Sequence, residues 1–242
     1  MDKILADHRR LLGDFEIVDV VEQQEIEQLR GPHHIDPPQS HHTTTENATE
    51  QDHHPPHNHN PKAGQWNAET DIDWDEPVTP DEWVINPEAS GLAQLVKMTG
   101  GDEATQKAAA FDELAATLSQ LLHGEQAALQ LCGQLTNVCE EMDQKLYAAS
   151  QVVDEARHIE VMSKFLSRKM GTIYPIGATL KVLLDMLLEA KGMKKKVLGM
   201  QTLFEGMAVG IMDMMRQESR NPLFTDILAR VEQDEARHAA FG

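Results

Sequence analysis

At 242 residues the chain has room for one or two domains, and its formal net charge of −19 excludes the basic surfaces that nucleic acids and anionic membranes attract. Its two cysteines, Cys132 and Cys139, fit neither a zinc spacing nor a disulfide framework, so both read as thiols of a reducing compartment. No apolar run reaches signal-peptide or bilayer-spanning length, and the expectation is a cytoplasmic protein with no membrane partner.

Residues 1–30 are expected to hold a short acidic amphipathic helix, with Ile17, Val20, Val21, Ile26 and Leu29 on a ragged apolar stripe. In residues 31–61 the composition shifts to His, Pro, Thr, Asn and Gln, with almost nothing apolar to offset the entropy of ordering. This stretch reads as a disordered linker. Its histidines, His57 among them, are either a loose metal chelator or part of a polar spacer, and no fixed geometry accompanies them. Residues 62–101 carry Trp66, Trp74 and Trp83 among acids and prolines. Pro77, Pro80 and Pro87 forbid a continuous helix, which leaves an extended strap anchored by indoles. An indole beside a metal site also offers electrons a way in.

From Leu92 onward the chain is rich in strong helix formers and shows no alternating Val, Ile or Thr run, so the folded part, residues 102–242, is expected to be all-α. Asp102 is a plausible N-cap for the first bundle helix, which runs past Glu125. A break between Asn137 and Asp143 leads into a second helix ending near Met170, where Gly171 supplies the stop. A crossover helix spans about Ala178 to Ala190. The third helix covers about Lys195 to Ser219, and the fourth starts at Pro222, a favoured first helical position. Few residues follow His238, compared with about three helical turns after His158, which suggests a fragment.

The chemistry lies in a repeat. Asp-Glu-Ala-Arg-His occurs at Asp154–His158 and again at Asp234–His238, each copy preceded by a lone glutamate, Glu125 and Glu205. Each of these glutamates stands 30 residues before the glutamate of its pentapeptide, and the two sets superpose on an offset of 80. On a helix, Glu at i and His at i+3 share a face and can reach one ion. Two such helices, each with a partner donating one more Glu, make the four-Glu, two-His set of a bundle-core two-metal site. Its members are Glu125, Glu155, His158, Glu205, Glu235 and His238. Their helix faces are mostly apolar, where four unpaired carboxylates are prohibitive, so cations must neutralise them. Surface ion pairs, the alternative, would make the matching spacings a coincidence.

Asp154, Arg157, Asp234 and Arg237 flank the proposed ligands. A metal-bound imidazole usually donates its second N–H to a carboxylate, which an Arg can hold in turn. Each Asp is therefore expected to serve the histidine of the other hairpin. Gln151, Ala128, Met162, Ala208 and Val209 are expected to shape a pocket. Gly206 and Gly210 could open that pocket, permit a π-bulge, or allow close helix packing.

These residues resemble the ferritin-like diiron-carboxylate superfamily, which Glu125, Glu155, His158, Glu205, Glu235 and His238 match one for one. The Asp-Glu-x-Arg-His form looks most like the hydroxylase subunits of bacterial multicomponent monooxygenases and the ribonucleotide-reductase-like oxidases. The resemblance implies a ferritin-like four-helix bundle holding two irons, or one manganese and one iron, and an oxidase or oxygenase using O₂ on a small substrate. No nucleotide or flavin fingerprint appears, so a ferredoxin or flavoprotein reductase is the implied electron donor. A homodimer stays open.

Four departures narrow the resemblance. Met162 stands where radical-storing reductases carry Tyr, and Met200 where the two-metal ligand-binding oxidases carry a crosslinking Tyr. Val209 stands where methane-type monooxygenases place Thr, and Val231 where the aromatic-amine N-oxygenases add a third His. Two other functions share the ligand set: bacterioferritin-like iron oxidation and storage, and an inactive bundle that keeps metal for folding. The N-terminal extension and Trp strap fit a packed storage cage poorly.

Overall fold

The computed structural model describes residues 65–241. The acidic helix and His-rich linker expected within 1–61 lie outside the described residues. Among those described, the fold is all-α: α1 is Gly91–Met98, α2 Glu103–Val138, α3 Met142–Lys164, α4 Ala178–Glu189, α5 Met193–Val197, α6 Glu205–Glu218 and α7 Pro222–Phe241. Two wider π-helical stretches, Phe165–Met170 and Leu198–Phe204, extend α3 and join α5 to α6. Helices α2 and α3 form one hairpin and α6 and α7 the other, while α4 carries the chain across. This is a ferritin-like four-helix bundle with a crossover helix.

Local chemistry sets the boundaries. Asp102 caps α2 by accepting from the Thr105 N–H at 2.9 Å. The first hairpin turn falls between Val138 and Met142, and Gly171, at φ 73°, takes the left-handed conformation that ends the α3 extension without a Cβ penalty. At the second hairpin turn the Asn221 side chain accepts from the Phe224 N–H at 3.0 Å and donates to the Pro77 carbonyl at 2.9 Å. One residue thus caps α7 and ties it to the strap.

Residues 65–90 run irregularly across the bundle, with Ala68, Ile72, Val78, Val84 and Ile85 buried in the main core. Backbone hydrogen bonds join Asn86 N–H to the Glu218 carbonyl and Arg220 N–H to the Val84 carbonyl, at 2.7 and 2.8 Å. The strap is not extended throughout, because Gly91–Met98 is helical. Ser90 caps that helix by accepting from the Ala93 N–H and donates to Glu113 at 2.6 Å, a long-range partner that local sequence does not advertise.

The core fills one end of the bundle with Leu114, Leu118, Leu122, Val161, Phe165, Met212, Phe224 and Leu228. Phe165 and Phe224 stack across it with centroids 5.2 Å apart. Phe224 is 1% exposed, so Phe224→Ala should leave a cavity and cost about 3–5 kcal/mol. A lowered midpoint in urea unfolding with an unchanged slope is the expected result, and an unchanged midpoint would contradict this account of the core.

Candidate metal centre

Beyond that core the four bundle helices turn polar side chains inward. Glu125 comes from α2, Glu155 and His158 from α3, Glu205 from the first position of α6, and Glu235 and His238 from α7; none is more than 6% exposed. Glu155 with His158, and Glu235 with His238, use the i, i+3 spacing to share a face. The π-helical stretch ends immediately before Glu205. A π turn holds more residues than an α turn, so this stretch decides which face of α6 that carboxylate occupies.

The six side chains fall into two overlapping groups. Glu125, Glu155, His158 and Glu235 offer ligand atoms within 4.8 Å of one another, and so do Glu155, Glu205, Glu235 and His238. Glu155 and Glu235 belong to both. His158 Nδ1 lies 2.8 Å from Glu235 Oε1 and 3.4 Å from Glu125 Oε2; His238 Nδ1 lies 3.0 Å from Glu235 Oε2 and 3.4 Å from Glu155 Oε1.

The opposite ring nitrogens point away from the cluster. His158 Nε2 is 3.2 Å from Asp234 Oδ2, and His238 Nε2 is 3.2 Å from Asp154 Oδ2, so each aspartate reaches the histidine of the other hairpin. Arg157 joins the two halves by donating to Asp154 and Asp234 at 2.6 and 2.7 Å. Arg237 donates to Asp234 and stands 3.8 Å from Asp154. The Trp66 indole N–H also donates to Asp234, at 2.9 Å, and the Arg157 guanidinium lies over the Trp66 ring, 4.9 Å from its centroid. Trp74, by contrast, donates to the Ala68 carbonyl.

Electrostatics show what the cluster lacks. Burial, and then the neighbouring Glu235 charge, hold the carboxyls of Glu125 and Glu205 well above the ordinary range. For Glu235 burial also acts upward, but hydrogen bonding with Glu205 and the charge of His158 outweigh it and the net shift is down. Burial disfavours charge on both imidazoles, yet the surrounding carboxylates raise them. The carboxylates thus favour positive charge between them. Two buried oxygens, Glu155 Oε2 and Glu235 Oε1, make no well-aligned hydrogen bond, although His158 Nδ1 lies 3.5 and 2.8 Å from them. Buried carboxylate oxygens crowded around imidazole nitrogens whose other side is held by carboxylates fit cations as partners. Two divalent ions would balance four glutamates with both histidines neutral.

Beside Glu125 and Glu205 lies a cavity of about 200 Å³ between α2, α4 and α6. Of the expected pocket residues, Ala128 and Ala208 line it. Gln151, Met162 and Val209 do not, which corrects that part of the expectation. Gln151 is tied down by the centre, donating to Glu205 at 2.7 Å and Glu155 at 3.1 Å. Met162 is claimed by the main core, and Val209 occupies another face of α6. Sequence reasoning missed Leu121, Gly124, Phe204 and Ile211 as walls. It also missed Gln65, which donates to Asp154 at 2.8 Å and accepts from Arg157, because the strap contributes it from 89 residues away. Gly206 and Gly210 are exposed, and a Cβ on either would meet no neighbour within 4 Å, so close packing does not explain them.

The bundle and its paired, buried Glu/His groups define a ferritin-like carboxylate protein with side chains able to hold metal. Residues 60–242 match the family of p-aminobenzoate N-oxygenase AurF, and the chain belongs to that diiron oxygenase family. No curated protein and no solved structure matches it. Val231, which departs from the N-oxygenase pattern, is fully buried in the main core, and the two metal-binding groups among the described residues contain only the six side chains above. None of the described helices is long and apolar enough to cross a membrane.

Proposed function

We infer that the chain is a dinuclear-metal oxygenase or oxidase that uses O₂ to oxidise a small molecule, with Glu125, Glu155, His158, Glu205, Glu235 and His238 as the ligands of two irons or of one manganese and one iron. The carrying observation is the pair of ligand groups sharing Glu155 and Glu235. When bound, the metals supply Lewis-acid and redox chemistry: O₂ takes up two electrons and two protons, one oxygen atom passing to the substrate and the other leaving as water.

The protein's own part is positioning and exclusion. Asp234 and Asp154 fix the tautomer and tilt of His158 and His238, Arg157 holds both aspartates, and Gln151 orients Glu155 and Glu205. The apolar cavity receives the substrate next to Glu125 and Glu205. An amine, as in the family's name, or an apolar C–H group would be the site of attack. Electrons come from an external ferredoxin or flavoprotein, and Trp66, hydrogen-bonded to the aspartate that holds His158, is the indole placed to pass them inward.

Loading with iron(II) without oxygen, followed by O₂, tests this reading. About two metal ions per chain and an O₂-dependent change in the absorption spectrum are expected. Bound metal with no spectral response would leave an inactive bundle. A particle eluting at many times the monomer mass would favour iron storage, which membership in an oxygenase family speaks against.

A further inference from the structure

The cavity beside the metal centre has walls that bear on what can enter it. Leu121, Phe204, Ala208 and Ile211 make an apolar lining, and among the described residues the only charged side chains on it are Glu125 and Glu205, both acidic. Two other polar residues face it, and both are engaged. Gln120 donates to the Pro175 carbonyl at 3.1 Å and accepts from the Gly177 N–H at 2.7 Å, while Thr117 donates to the Glu113 carbonyl at 2.9 Å.

Nearby basic groups are likewise committed. Lys181, next to the lining Leu180, pairs with Asp185 at 2.6 Å, and His123, next to Gly124, has Tyr174 O and Gln126 Oε1 at its two ring nitrogens, 2.9 and 3.2 Å away. Among the described residues the wall therefore offers no cation to a polar group held away from the metals, and its one spare donor is the second amide N–H of Gln120.

From this we propose that the substrate is a small, uncharged molecule, about the size of one substituted ring, with no carboxylate or other ionic group at the end remote from Glu125 and Glu205. The proposal rests on the oxygenase reading and goes beyond it, since the family is named for a substrate that carries a carboxylate. Burying an ionised carboxylate among apolar side chains with no partner is heavily unfavourable. Size agrees with this class: apolar cavities of roughly 150 Å³ hold benzene, and this one is about 200 Å³. Of the lining residues Thr117 and Met207 are exposed, Met207 at 61%.

A pair of equal-sized probes tests the proposal. 4-Nitroaniline and 4-aminobenzoate share the amine and differ in charge at the opposite end. Titrated calorimetrically into the full chain loaded with iron(II) under anaerobic conditions, 4-nitroaniline is expected to bind at least about tenfold more tightly. Equal or tighter binding of 4-aminobenzoate overturns the proposal.

Two variants locate the effect. A Cβ at Gly124 meets no atom within 4 Å, so Gly124→Leu should fill the cavity and abolish 4-nitroaniline binding; unchanged binding would put the ligand elsewhere and sink the idea. Thr117→Arg places a cation at the rim and should raise 4-aminobenzoate affinity about tenfold, and no gain counts against the proposal. The same titration without metal separates the two readings. A chain that takes up no iron yet prefers 4-nitroaniline supports the cavity argument and refutes the oxygenase, whereas O₂-reactive iron with a preference for 4-aminobenzoate does the reverse.

Discussion

Replacing Glu155 or Glu235 with alanine is expected to empty the whole centre, whereas Glu125→Ala or Glu205→Ala should cost one ion. The asymmetry follows from membership: Glu155 and Glu235 stand in both ligand groups, while Glu125 belongs with His158 alone and Glu205 with His238 alone. Removing a shared carboxylate takes a donor and a negative charge from both ions at once. The remaining carboxylates then hold two cations with too little charge between them. Elemental analysis after iron loading should read about two ions per chain for the parent, about one for each outer variant and near none for each shared one. His158→Ala should behave like Glu125→Ala, and His57→Ala in the N-terminal segment should keep the full count. If all four glutamate variants lose metal equally, the division into shared and outer ligands is wrong. If His57→Ala lowers the count as much as His158→Ala, the centre itself is misassigned.

The clustering of the six side chains was legible because a helix converts spacing into geometry with little freedom. Glu155 and His158, or Glu235 and His238, are three residues apart and must share a face wherever the helix lies. The duplicated pentapeptide supplied the second helix of the same kind, and equal leads to Glu125 and Glu205 supplied the partners. The crossed pairing of Asp154 with His238 and Asp234 with His158 was also foreseeable, since an aspartate adjacent to its own ligand glutamate points off that helix toward the facing one. What escaped was set by tertiary packing. Gln65 reaches Arg157 from the strap, and no local pattern announces a partner 92 residues distant. The cavity depends on how α4 lies against α2 and α6, so proximity along α3 and α6 mistook Met162 and Val209 for its walls. The π-helical stretches carry no Pro and no distinctive composition. The Cys132 thiol shows a milder limit: composition says nothing of its burial, and only the structure packs it against Met200.

Arg157→Met should be among the most damaging single changes to the metal-free chain. The guanidinium is 7% exposed and bonds Asp154 and Asp234, which are 4% and 1% exposed, so its removal leaves two buried carboxylates without their common cation. Arg237 cannot replace it, being 3.8 Å from Asp154 and more exposed. Breaking a buried ion pair from one side costs about 3–5 kcal/mol, and methionine keeps the side-chain volume, so the loss should be electrostatic rather than a packing defect. Both aspartates also hold ligand histidines, and a loosened carboxylate lets the imidazole tilt. Metal affinity is therefore expected to fall about 10–100-fold. Urea unfolding of metal-free protein reads the first effect and a competitive chelator titration the second. Arg157→Lys keeps a charge but loses the second guanidinium nitrogen, which donates to Gln65 while the first holds both aspartates, and its shorter reach aims the charge less well, so it should recover part of the stability and little of the affinity. Should Arg157→Met unfold at the parent midpoint and bind metal as tightly, the arginine would be an incidental neighbour, and the two aspartates would be held by Arg237, Trp66, Gln65 and the histidines.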